Sequence, residues 1–186
     1  MNLLTPLVTI LFMILPVLSA GITFIFILKI KLVDFLSFPL DFKFHFRRKR
    51  LFGKNKTLKG PLVMSLCAAF YGWLLNASFG NPLRLSEKEV AVNFFLIGLF
   101  YSIGELPNSF FKRQLGIPPG KPPSNITLKI IFRTIDTFDS LIFCGVGYIL
   151  FFQLPFLLVV LSVLIGGILH LSTDQFMTAL SLKSKT

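Results

Sequence analysis

Uncharged apolar runs at residues 1–28, 60–83, 90–104 and 140–173 set the terms on which this chain folds. A helix needs about 20 residues, each rising 1.5 Å, to cross a hydrocarbon layer of roughly 30 Å. The first two runs are long enough to cross once. The third suffices if it continues to Leu106 with Glu105 at the interface. The fourth is too long for one crossing, and Gln153 and Pro155 near its middle predict a tight helical hairpin. With 54% of its residues apolar, the chain reads as an all-α, polytopic integral membrane protein with about five transmembrane helices. The expected organisation is a single domain over 1–186, with an N-terminal helix at 3–28 and cytoplasmic loops at 29–59 and 108–137.

The segment LPVLSAG resembles a signal-peptide cleavage site, but no Lys or Arg precedes the apolar run, which continues through Ile22 to Leu28. A retained first helix is therefore the expectation. Ten of the nineteen Lys and Arg residues fall between Lys29 and Lys59, and five more are Lys112, Arg113, Lys121, Lys129 and Arg133. Lys183 and Lys185 lie in the tail, whereas the turn at 81–89 balances Arg84 and Lys88 against Glu87 and Glu89. Basic loops stay in the cytoplasm. Five crossings put both rich loops and the C-terminus inside the cell membrane and the N-terminus outside. The net charge of +11 then speaks for anionic membrane lipids rather than nucleic acid, even at FKFHFRRKRLF. Cys67 and Cys144 stand alone in apolar runs and read as small buried residues. Nothing in the residues reports an oligomeric state.

Three segments concentrate polar chemistry on the predicted cytoplasmic side. GKNKTLKGP places Lys54, Lys56, Thr57 and Lys59 between two glycines, without the spacing of a P-loop. GELPNSFFKRQ gathers Glu105, Asn108, Ser109, Lys112 and Arg113 at the end of an apolar helix. A hydroxyl beside two cations suits a phosphate gripped from several directions. FRTIDTFDS contains Arg133 and sets Asp136 and Asp139 three residues apart, hence on one helical face. Capping of the fourth helix would explain either aspartate singly. Two like charges on one face instead favour an intervening cation such as Mg²⁺, which bridges readily to phosphates. Asp34, Asp41, Glu87 and Glu89 are expected to be solvated loop residues.

In this order the segments resemble the CDP-archaeol synthase family, within the wider group of membrane phosphatidate cytidylyltransferases. GKNKTLKGP is similar to a family segment Gly-x-x-Lys-Thr-x-x-Gly. Ser109, Phe111, Lys112 and Arg113 match a Ser-x-hydrophobic-Lys-Arg signature, and IDTFD is similar to Leu-Asp-Gln-Leu-Asp. HLSTDQFMTALSLK resembles the family tail, from His170 to Leu182 and Lys183. Glu105 stands where the family usually has Asp, and the stretch after Arg113 is about ten residues longer than usual, a comparison resting on the family pattern.

The resemblance implies transfer of CMP from CTP to a lipid phosphate, yielding a CDP-activated lipid and pyrophosphate. It assigns Lys112, Arg113 and Asp136 to catalysis and Asp136, Asp139 and Glu105 to Mg²⁺. Lys56, Thr57, Lys59, Asn108, Ser109, Lys112, Arg113 and Arg133 would hold CTP or phosphate. The expected partners are CTP, a lipid phosphate and membrane lipids. The ether or ester linkage of that lipid is not encoded in any motif. His170 reads as a helix-end residue paired with Asp174, and Leu171, Phe176, Met177 and Leu180 as the apolar face of an interfacial tail. The alternatives are an enzyme of another prenyl or lipid phosphate, and a non-enzymatic protein holding anionic lipids through its basic loops.

Overall fold

The computed structural model describes residues 4–179, so Leu180, Leu182, Lys183 and Lys185 lie outside the described residues. Five α-helices carry the architecture: α1 (Leu4–Lys29), α2 (Lys59–Phe79), α3 (Glu87–Gln114), α4 (Ile126–Phe152) and α5 (Phe156–Ala179). All five are long and apolar enough to cross a membrane. Helices prevail because a bilayer leaves unpaired backbone groups without water, and a helix satisfies them within itself. Each helix packs on the next in sequence, and α5 returns against α1, closing a ring. Phe12, Met13, Met64, Phe94, Ile97 and Tyr148 fill its centre.

The turns are chemically specified. Ser86 and Glu89 form a reciprocal capping box that opens α3, so Glu89 is a capping residue rather than a loop acid. The α4–α5 hairpin expected at Gln153 and Pro155 is present. Gln153 adopts a left-handed conformation at φ 52°, and α5 restarts at Phe156 directly after Pro155.

The stretch 108–137, expected to be a loop, is mostly helix. α3 runs on through Pro107 to Gln114, and α4 already starts at Ile126. The apolar run ends before the helix does, because the next turns face a polar cavity and a neighbouring helix rather than lipid. α3 stops in a glycine cap. Gly116 at φ 79° donates to the Arg113 carbonyl (3.0 Å), and Ile117 to that of Lys112 (2.9 Å).

Loop 30–58 folds into a small lobe with a two-stranded hairpin, β1 (His45–Phe46) and β2 (Lys49–Arg50). Its centre is Asp41, only 2% exposed, which corrects the expectation of a solvated acid. The carboxylate pairs with the Arg50 guanidinium and accepts from the backbone N–H of Lys43 (3.0 Å), Phe52 (3.4 Å) and Gly53 (3.2 Å). Among so many cations, a buried acid can leave water only beside one of them. Asp34 is likewise engaged, accepting from Lys59 Nζ at 2.5 Å.

Candidate active site

α3 and α4 meet closely because Gly104 carries no side chain. A Cβ there would stand 2.9 Å from both the Asp139 carbonyl oxygen and Phe143 Cβ. One turn further along α3, that proximity puts Asn108 against the two aspartates. Its Nδ2 donates to Asp136 Oδ1 (2.6 Å) and to Asp139 Oδ2 (2.9 Å). Lys112, another turn on, donates to both oxygens of Asp136 at 2.5 and 2.6 Å and lies over the Phe132 ring at 5.4 Å. Asp139 also accepts from the backbone N–H of Ser140 at 2.7 Å.

Capping does not explain the aspartates. Asn125 caps α4, accepting from the N–H of Thr127 and Leu128, and Asp136 and Asp139 lie well inside the helix. They share one face as their spacing requires, and one amide group spans both.

A cavity of about 1260 Å³ opens beside this cluster. Lys56, Thr57, Asn108, Ser109, Arg133 and Asp136 line its polar end. Glu105, also on its wall, pairs with Lys56. Asn55, overlooked in the sequence, lines the same end from the glycine-flanked segment. From there the cavity passes between apolar walls of α1, α2, α4 and α5, reaching Val17, Met64, Tyr148 and Val163. Twelve residues of α4 separate Asp136 from Tyr148, a depth of about 18 Å at helical rise. Tyr148 donates to the Met13 carbonyl at 2.9 Å and ties α4 to α1 at that level.

Not every expected residue converges. Lys59 turns to Asp34, outside the cavity lining. Arg113 also lies off the lining; its Cδ would stand 3.3 Å from a Cβ at Gly53, and its buried Nε and Nη1 have no hydrogen-bond partner. Glu105 does line the cavity, paired there with Lys56, and no group of three or more His, Cys, Asp or Glu able to hold a metal occurs among the described residues. Asp136, Asp139 and the Asn108 amide gather oxygen donors of the kind a hard cation takes. Asn108 Oδ1 is buried without a partner, and turning the amide over would present that oxygen where its NH₂ now spans the aspartates. His170 and Asp174 both line the cavity from α5.

Comparison with known proteins identifies the family. The CarS-like CDP-archaeol synthase family model matches residues 2–186. The CDP-archaeol synthase of Thermofilum pendens is 34% identical over 148 residues, covering 78% of this chain and 64% of that protein. The matched stretch thus spans under two thirds of that relative's length. The Pyrobaculum calidifontis CDP-archaeol synthase is 26% identical over 148 residues, 79% of this chain and 80% of its own. That of Saccharolobus solfataricus is 28% identical over 124 residues, 60% and 70% respectively. No solved structure matches the chain. With a family match along almost its whole length, this five-helix membrane protein belongs to the CDP-archaeol synthase family.

Proposed function

We propose that this chain transfers CMP from CTP to a membrane lipid phosphate, giving a CDP-activated lipid and pyrophosphate. The observation that carries the reading is one cavity with a cationic and acidic end and an apolar shaft about 18 Å deep. A ligand matching both parts has a phosphate head and a long hydrocarbon chain. A free nucleotide would leave the shaft unfilled, and a neutral lipid would leave the charges unanswered. The relatives are named for making CDP-archaeol, and an archaetidic acid-like or phosphatidic acid-like substrate fits the cavity.

The reaction joins a lipid phosphate oxygen to the α-phosphorus of CTP as the bond to pyrophosphate breaks. Positioning and charge stabilisation supply most of such catalysis. Lys56 and Thr57 are placed to hold one phosphate at the mouth, with Ser109 and Arg133 facing the same space. Arg113 offers buried, unpartnered N–H groups that reach an anion by a change of rotamer. Asp136 and Asp139, with Asn108 Oδ1, would hold Mg²⁺, which neutralises charge on the phosphate oxygens when bound. Lys112 is placed to exchange its Asp136 contact for a phosphate oxygen. The cations of the lobe and of the loop after α3 support a cytoplasmic position for this end in the cell membrane, with the N-terminus outside.

The test incubates purified protein with radiolabelled CTP, Mg²⁺ and a panel of ether- and ester-linked lipid phosphates. Lipid-extractable label that depends on both CTP and the lipid phosphate is expected. Its absence across the panel, with folded protein, would overturn the reading.

A further inference from the structure

Between α1 and α2 the chain leaves its apolar side chains outside. Ile30, Leu32, Phe35, Phe38, Phe42 and Phe44 keep between 64 and 72% of their surface exposed. So many large apolar side chains left exposed in one short segment mark a contact with a partner or a membrane. Cations are interleaved with it: Lys29, Lys31, Lys43, Arg47 and Arg48. The segment's two acids are engaged elsewhere, Asp34 by Lys59 and Asp41 by Arg50. The five interleaved cations have no ion-pair partner among the described residues. Arg47 lies over the Phe46 ring at 5.4 Å, so even this contact combines cation and aromatic surface.

The lobe is held in place. Leu40 N–H donates to the Lys56 carbonyl and Leu58 N–H to that of Phe38, each at 2.9 Å, while Asp41 binds Gly53 from within. It begins at the last residue of α1, a helix of membrane length that ends at Lys29. The exposed phenylalanines therefore start just beyond the end of a helix long and apolar enough to cross a membrane.

We infer that residues 30–48 form an interfacial anchor for anionic lipid headgroups of the leaflet in which this end of α1 sits. The phenylalanines enter the acyl boundary and the cations meet headgroup phosphates. Charge complementarity selects anionic over zwitterionic lipid, and continuity with α1 selects the bilayer over a soluble polyanion. Through the Asp41 contacts and the paired segments 38–40 and 56–58, the anchor keeps Lys56 and Thr57 at headgroup height. This inference does not depend on cytidylyl transfer.

The test uses the full chain in lipid nanodiscs, where both faces are accessible. Trp73→Phe removes the native indole, and Phe44→Trp introduces a reporter into the lobe. Discs contain phosphatidylcholine alone or are enriched in phosphatidylglycerol, each with and without brominated acyl chains. In the enriched discs the reporter emission should shift to the blue and be quenched by bromine, as expected of a side chain at the acyl boundary. Combined Lys31→Gln, Lys43→Gln, Arg47→Gln and Arg48→Gln substitutions should abolish the difference between the two lipids. Phe42→Trp reads the same contact from a second position. A water-like emission quenched by iodide in both discs would overturn the inference, as would equal bromine quenching in both. So would a spectrum that moves only when single-stranded RNA is added.

Discussion

Lys112 sets its ammonium nitrogen 2.5 and 2.6 Å from the two carboxylate oxygens of Asp136, across the seam between α3 and α4. The same carboxylate is the proposed cation ligand, so lysine and metal compete for it. Lys112→Met should lower the Mg²⁺ concentration needed for half activity while turnover drops by about 100-fold, the scale of losing one transition-state charge contact. Asp136→Asn should raise the Mg²⁺ requirement by at least about tenfold. Mg²⁺ titration of initial rates separates the two, and a parallel response would refute the competition.

Two glycines near the cavity should respond differently. A Cβ on Gly104 would meet Asp139 O and Phe143 Cβ at 2.9 Å, so Gly104→Ala forces α3 from α4 at a cost of about 1–3 kcal/mol. Turnover should collapse while circular dichroism keeps its helical signal. Gly21 lines the cavity, and a Cβ there meets nothing within 4 Å. Gly21→Phe should fill the shaft and raise the KM for lipid about tenfold, equivalent to 1.4 kcal/mol, with the KM for CTP unchanged.

Asp41 gives the basic lobe an acid-sensitive support. Burial pushes its carboxyl up, but the Arg50 guanidinium and the N–H groups of Lys43, Phe52 and Gly53 outweigh this and hold it below its ordinary 3.8. A carboxyl depressed in the folded state contributes stability above its unfolded value. That contribution is lost as pH falls below about 4 and through the lower folded value. Wild-type lobe should become protease-sensitive over that range. Asp41→Ala should be cleaved within 30–58 at neutral pH, because a broken buried pair costs roughly 3 kcal/mol, while the helices persist.

Glu105 reaches Lys56 across the cavity from α3. Shortening it should break that contact. Glu105→Asp is expected to raise the KM for the lipid phosphate several-fold and leave the Mg²⁺ requirement unchanged. A large rise in the Mg²⁺ requirement would instead restore Glu105 as a metal ligand.

The length of each apolar run determined the solvent, the number of crossings and the α4–α5 hairpin. In lipid the backbone has no partner but itself, and so 20 or so apolar residues leave the helix as the available form. The i, i+3 spacing likewise determined that Asp136 and Asp139 share a face. Which groups meet them was decided only in three dimensions. Asn108 and Lys112 reach the pair because Gly104 lets two helices approach, a distance that no local spacing encodes. Glu105 and Lys59 found cations or acids of their own, and Asp41, unremarkable in sequence, became the buried centre of a lobe. A charge taken out of water must find its opposite, and which opposite lies nearest is a property of the packed chain.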